Sequence, residues 1–425
     1  MARKKTVLLM TVGTGVGGEE HKKSLAHGIM SSVEHHNPEE IIFFGSEESR
    51  DTIFFIEDEL NEDYDGYEFI QIDNVDNFKE YFYGIKEKAE EFSDEKVIID
   101  YTSGTKTMSV AAAFTSMVCH NKLVSVVGQR EKGTVNKGTE SIRTQNIYPV
   151  YDELIIEKVK DLFNSNRFEA GKLLLSDIVE SSDKELYNQL FDIYYNFDNI
   201  NYDNALKLFD ENFLNKIREK WPVLSNKFSE NRSALFNMKT IDVDKVDLGK
   251  KPWKNKKYRR RCYYILASLL NNAKRRFNEG KYDDAIARLY RSFELIAQIR
   301  LREKYNINTS KVDLDYLKKR GLTDEYLNTL DSCKSDLNDD VKIGLAKAYD
   351  LLEKLNDSLG IFYAEHYNEI NQCSSFRNKS ILAHGLNFQT KENYESFEKL
   401  VLDAASILTN DLEKYLNQTK FPNIR

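Results

Sequence analysis

The first hundred residues repeat one pattern: an apolar run, a glycine or polar turn, then a helix-like stretch. The runs are Lys5-Thr6-Val7-Leu8-Leu9-Met10-Thr11-Val12, Ile41-Ile42-Phe43-Phe44-Gly45, Tyr67-Glu68-Phe69-Ile70-Gln71-Ile72 and Val97-Ile98-Ile99-Asp100-Tyr101. Helical stretches follow over about 20–33 and 49–60, and another separates the third run from the fourth. Strands apolar at successive positions bury both faces, and their alternation with helices predicts a doubly wound, Rossmann-like parallel sheet. Beyond it, Val124-Ser125-Val126-Val127 reads as a strand, 131–140 is rich in Gly, Lys and Asn, and 142–150 reads as a returning strand. A β-hairpin closing the domain is the simplest account.

Ligands on such a sheet bind beyond the carboxyl ends of the strands. Two loops fall there: Thr11-Val12-Gly13-Thr14-Gly15, and Thr102-Ser103-Gly104-Thr105-Lys106-Thr107-Met108, which leads into a helix over 109–120. Glycine lets the backbone approach a ligand closely, and free N–H groups at a helix start favour phosphate. Hydroxyls of Ser103, Thr105 and Thr107 and the charge of Lys106 add to this, so the first domain is expected to bind a phosphate-bearing molecule. Gly13, Gly15 and Gly18 also satisfy the dinucleotide fingerprint GxGxxG. However, the acidic residue expected after the second strand is missing, since Phe44 is followed by Gly45-Ser46 before Glu47. A further alternative is that these glycines only turn the chain.

The rest of the chain reads as helices. Residues 152–240 form a connector with a faint repeat, Arg167-Phe168-Glu169-Ala170 and Tyr202-Asp203-Asn204-Ala205, echoed at Tyr282-Asp283-Asp284-Ala285. These suggest helical hairpins with similar turns. A break at 241–261 carries Gly249, Pro252 and a basic run from Lys250 to Arg261, interleaved with Trp253 and Tyr258 and followed by Tyr263 and Tyr264. Such a run holds single-stranded RNA or is a solvated linker. Later helices are expected over about 258–278, 282–305, 340–355, 362–383 and 391–416.

Near the end of the fourth of these lies Arg377-Asn378-Lys379-Ser380-Ile381-Leu382-Ala383-His384. Seven residues are two helical turns, so on a continuous helix Arg377 and His384 share a face, flanked by Asn378. A guanidinium grips phosphate with two parallel hydrogen bonds, and an imidazole moves a proton near neutral pH. This equipment suffices to cleave RNA without a metal. The plain alternative is a surface arginine and a partly buried histidine. Arg291 and Glu294, a turn apart, either orient that pair or form an ordinary ion pair.

The length, 425 residues, suits two or three domains, divided here as 1–151, 152–250 and 251–425. The net charge of −8 excludes a general nucleic-acid coat, so any RNA contact must be local. Cys119, Cys262, Cys333 and Cys373 are scattered, and the histidines do not cluster with carboxylates at ligand spacing except His35-His36 beside Glu34 and Glu39, which read as solvated loop residues, so neither a disulfide framework nor a metal site is expected. No apolar run is long enough to span a membrane. The basic-then-apolar N-terminus reads as a first strand rather than a leader, so the protein is expected to be cytoplasmic.

Together these residues resemble the CRISPR-associated ribonucleases that join a CARF domain to a HEPN domain beside type III interference complexes. The CARF-like parts are Thr11–Gly15 and Ser103-Gly104-Thr105-Lys106-Thr107-Met108. The HEPN-like part is Arg377-Asn378 through His384, matching R-x(4–6)-H with Asn after Arg. The resemblance implies a Rossmann-like CARF domain followed by an all-α HEPN bundle, acting as a homodimer with no stable tie to the interference complex. It implies activation by a cyclic oligoadenylate, of four units on family grounds, held by Thr11, Gly13, Thr14, Gly15 and Ser103 through Thr107. It further implies metal-independent cleavage of single-stranded RNA by Arg377 and His384 with support from Asn378. Some relatives degrade their messenger in the CARF pocket, a role open here to Thr14 and Lys106. The alternatives are an inactive sensor or scaffold and a nucleotide-binding Rossmann enzyme.

Overall fold

The computed structural model describes residues 3–14, 18–57, 66–131, 134–239, 255–334, 340–383 and 385–425. The chain divides into two compact units, one of residues 1–154 with 178–181, the other of 155–177 with 182–425.

The first unit is built on strands β1 (Thr6–Thr11), β2 (Glu40–Gly45), β3 (Glu68–Gln71), β4 (Lys96–Asp100), β5 (Lys122–Val127) and β8 (Ser141–Gln145), with β6 (Arg130–Glu131) and β7 (Thr134–Val135) as a small ribbon. The sheet order is β3-β2-β1-β4-β5-β8. The first five strands are parallel, Leu8 facing Ile41 on one side and Ile98 on the other, and β8 returns antiparallel along β5. Every residue of β1 is buried. Alternate side chains go to opposite faces. Leu8 and Met10 pack with Ala26 and Ile29 of α1 (Glu19–His36) and Ile53 of α2 (Arg50–Glu57). Val7 and Leu9 pack with Tyr81 and Ile85 of α3 (Phe78–Glu91) and Ala111 of α4 (Lys106–Cys119). This is the doubly wound sheet expected from the apolar runs, with its strand order reversing between β1 and β4.

Two boundaries differ from the sequence reading for local reasons visible in the structure. The returning strand stops at Gln145 instead of running to 150, because Asn146 accepts the N–H of Tyr148 at 3.1 Å and opens α5 (Tyr148–Asn164). Pro149 fits that first turn, where its missing donor costs nothing. Helix α4 begins at Lys106, not 109, because Thr105 caps it by accepting the N–H of Met108 at 3.2 Å. Residues 178–181 join this unit through Asp152, whose buried carboxylate accepts the N–H groups of Val179, Glu180 and Ser181 at 2.7–2.8 Å.

The second unit is helical. After α5 come α6 (Phe168–Leu175), α7 (Lys184–Asp198), α8 (Tyr202–Leu208), α9 (Glu211–Lys220) and α10 (Ser225–Met238). Their interior is aromatic: Tyr194 meets Phe163, Phe209, Phe228 and the C-terminal Phe421 within 4.8–6.3 Å. The faint repeat marks helix starts. Phe168, Tyr202 and Tyr282 each open a helix two residues after a left-handed residue, Asn166, Ile200 and Gly280 respectively.

The second helical set comprises α11 (Lys256–Asn278), α12 (Tyr282–Tyr305), α13 (Leu314–Lys319), α14 (Asp324–Asp331), α15 (Leu345–Lys354), α16 (Ser358–Glu365), α17 (Tyr367–Lys379), α18 (Lys391–Leu408) and α19 (Leu412–Thr419). One apolar core runs from Tyr258 through Phe293, Leu352 and Phe397 to Leu412. The helix expected over 362–383 is broken at His366 and ends at Lys379. Ser380 is extended, and its hydroxyl donates to the Arg377 carbonyl at 2.9 Å. Gly385 then crosses so close to Lys379 that a Cβ there would stand 2.1 Å from its carbonyl oxygen.

Candidate functional site

The two glycine loops meet where the strand order reverses. The N–H of Gly13 donates to the Ser103 hydroxyl at 2.9 Å, and the Thr11 hydroxyl donates to the Ser103 carbonyl. A Cβ on Gly13 would lie 3.0 Å from the Gly104 Cα, so the loops touch backbone to backbone, and Gly104 has φ +117°. The second loop is anchored from below. The Thr102 N–H donates to Asp100 at 2.6 Å, the Thr102 hydroxyl accepts from Val126 at 2.7 Å, and Ser32 also donates to Asp100. Asp100 is fully buried. Burial raises its pKa, while the bonds from Ser32 and Thr102 oppose the rise. The Gly13 carbonyl is held by the Thr52 hydroxyl at 3.0 Å.

The candidate ligand residues divide accordingly. Thr11 and Ser103 are buried, and their polar atoms join the loops. Thr105 is the cap of α4. Gly104 and Lys106 are exposed, with Thr14 and Thr107 partly so. Gly15 lies outside the described residues. The first turn of α4 holds no carboxylate, whereas that of α1 holds Glu19 and Glu20. An anion is therefore favoured at the start of α4 and opposed at the start of α1.

In the second unit, Arg377 and Asn378 occupy the last turn of α17. The Arg377 guanidinium donates to the Asn378 side-chain oxygen at 3.1 Å and sits over the Tyr290 ring, 5.1 Å from its centre. Tyr290 comes from α12, and sequence spacing gave no sign of it beyond its place beside Arg291. Burial and Glu294 raise its pKa, and Arg377 opposes them. Arg291 bonds Glu294 at 3.2 Å and Gln298 at 2.9 Å along the same helix, which is the ordinary pair of the two readings. Burial pushes the neighbouring Cys373 thiol up to about 11. His384 lies outside the described residues. Because α17 ends at Lys379, the two-turn helical argument for pairing it with Arg377 does not apply.

The basic run opens α11. Lys250, Lys251, Pro252 and Trp253 are outside the described residues. Lys256, Lys257 and Arg260 are exposed, whereas Tyr258 and Tyr264 are buried and Tyr263 bonds Glu303 at 2.7 Å. These aromatics are the core face of an amphipathic helix and offer no rings for stacking. Among the described residues, no three His, Cys, Asp or Glu side chains gather as metal ligands, and no helix is long and apolar enough to cross a membrane.

Residues 254–408 match the family model described as the Csm6 HEPN domain, a span that includes Arg377, Asn378 and His384. No curated protein matches the chain. Among solved structures, Enterococcus italicus Csm6 bound to cyclic hexa-2'-fluoro-hexa-dAMP superposes with a TM-score of 0.60 at 13% identity, covering 98% of this chain and 99% of that one. At that identity the likeness is one of fold, and it runs the length of both chains. The protein therefore shares the fold of that structure, a Rossmann-like sheet domain followed by helices, and its residues 254–408 match the Csm6 HEPN family model.

Proposed function

We propose that the protein is an endoribonuclease of type III CRISPR defence, switched on by a cyclic oligoadenylate and acting on single-stranded RNA as a cytoplasmic homodimer. The reading rests chiefly on Arg377 and Asn378 at the end of α17, inside the HEPN-matched span, with the guanidinium held between the Asn378 oxygen and the Tyr290 ring. In this mechanism Arg377 binds the scissile phosphate and stabilises the charge that grows on it. His384 moves the proton. The 2′-oxygen attacks phosphorus, the bond to the 5′-oxygen breaks, the 2′-hydroxyl proton is taken up, and the leaving 5′-oxygen is protonated. The products are a 2′,3′-cyclic phosphate and a 5′-hydroxyl, and no step needs a metal ion.

The activator would sit on the loops at β1 and β4, with Gly104, Lys106, Thr107 and Thr14 toward its phosphates. Thr11, Gly13, Ser103 and Thr105 would shape the loops, and Gly15 would continue the first. Slow messenger breakdown at Thr14 and Lys106 belongs to the same proposal. The Enterococcus protein is bound to a six-unit ring, while family grounds suggest four, so both rings are the ones to assay. A dinucleotide is disfavoured by Glu19 and Glu20 where its pyrophosphate would lie. Dimerisation is supported in each unit by exposed apolar side chains: Val110, Phe114 and Val118 at four-residue steps on α4, and Ile381, Leu382, Leu386 and Phe388 after α17.

Cleavage of a labelled single-stranded RNA by Arg377→Ala and His384→Ala tests the site. A loss of at least about a hundredfold with ring binding intact is expected. Unchanged cleavage would move the centre elsewhere.

A further inference from the structure

A cleft of about 560 Å³ opens between α15 and the α16–α17 corner, lined by Lys347, Asp350, Glu353, Tyr363, Tyr367 and Asn368. Its volume suits a nucleoside-sized ligand. One wall is the end of an aromatic column. Phe293 stacks on Tyr349 at 4.5 Å, Tyr349 on Tyr363 at 4.9 Å, and Tyr367 meets Tyr363 edge-on at 5.9 Å. The column is rooted in the core, where the Tyr349 hydroxyl donates to the Phe293 carbonyl at 2.9 Å. Tyr367, at its outer end, is 52% exposed. A ring fixed from behind and open in front loses little freedom when a base stacks on it.

The cleft is tied to the proposed centre by one helix. Tyr367 opens α17, and Arg377 and Asn378 close it. Asn378 lies about three turns on from Tyr367, on the same face. Tyr367 and Arg377 are separated by roughly 15 Å of helix axis, a span of a few nucleotides. The polar lining suits a base edge more than a backbone. Asp350 and Glu353 only accept hydrogen bonds, Asn368 both donates and accepts, and Lys347 supplies one cation for a phosphate. Guanine is the base that offers adjacent N–H donors, at N1 and N2, to a carboxylate.

We propose that this cleft is a nucleobase subsite that stacks a guanine of the RNA on Tyr367 and reads its N–H edge with Asp350 and Glu353, setting base preference a few nucleotides from the cut. The proposal rests on the ribonuclease reading, and the two fail separately in a paired experiment. The first arm measures fluorescence-anisotropy binding of 2′-O-methylated, U-rich RNA hexamers with and without one guanosine. The second maps cut sites in a random RNA pool in the presence of cyclic tetra- or hexa-adenylate. Wild-type protein is expected to favour the guanosine hexamer. Tyr367→Ala should weaken that binding about tenfold, Tyr367→Phe should restore it, and Asp350→Asn with Glu353→Gln should erase the preference while uridine binding persists. The cut-site pool should carry guanosine at one fixed offset, lost in Tyr367→Ala. Tyr367-dependent binding without any cleavage would retain the subsite and overturn the ribonuclease reading. Cleavage whose base pattern and hexamer affinity ignore Tyr367, Asp350 and Glu353 would overturn the subsite, as would failure of the wild type to bind either hexamer.

Discussion

Arg377 is useful to phosphate chemistry only if its planar fork is held still, and two contacts hold it: the Asn378 oxygen and the Tyr290 ring. Arg377→Lys keeps the charge but loses the fork, so RNA cleavage should fall by about a hundredfold. Tyr290→Phe should retain most of the rate, and Tyr290→Ala should lose several-fold, in line with about 0.5–1 kcal/mol for a cation over a ring. Equal rates in the two Tyr290 variants would remove the ring from the account. Asp100 offers a test in the other unit. Its folded pKa is raised by burial, so its contribution to stability is complete below the unfolded value of ~3.9 and lost as pH rises through the folded value. Asp100→Asn cannot titrate. Melting curves from about pH 4 to 8 should therefore show wild type gaining on the variant toward acid; a constant gap would contradict this. Arg377 and Asn378 could be chosen from the sequence, but Tyr290 could not, because its partner comes from a separate helix and leaves no local spacing. Likewise the Ser103 hydroxyl looked free for a ligand until the neighbouring strands β1 and β4 brought their loops together, where it accepts the Gly13 N–H.

At the scale of elements, the sheet was legible because buried parallel strands are written as apolar runs such as Val7–Met10 and Ile41–Phe44. The end of α17 was not. Its periodicity continues past Lys379, and the stop is imposed by the extended Ser380 and the close crossing of Gly385. Gly385→Ala should therefore reduce cleavage far more than it lowers the melting temperature, since the added methyl disturbs the turn after Lys379 but little of the core. Normal cleavage by that variant would show that the turn is not needed. The connector's repeat was legible as similar turns but not as strain. Ile200 stands at φ +63° in a half-exposed position, where a β-branched residue is disfavoured. Ile200→Gly should stabilise by about 1 kcal/mol, read as a higher melting temperature. A lower one would mean that its side chain packs more than its exposure indicates.

For the whole molecule, a ring bound at the first unit can activate the second only by its difference in affinity between two states of the protein. A two-fold ligand does this best in a two-fold protein. The exposed Val110, Phe114 and Val118 stripe is the surface to break. Phe114→Asp should shift sedimentation toward monomer and abolish ring-stimulated cleavage, and a dimer that survives would place the interface elsewhere. The most direct test of the ribonuclease reading is cleavage of a fluorescent single-stranded RNA in excess chelator, with and without cyclic tetra- and hexa-adenylate. Stimulation by one ring, undiminished by chelator, is the expected result. No cleavage with either ring, or cleavage that chelator stops, would contradict it.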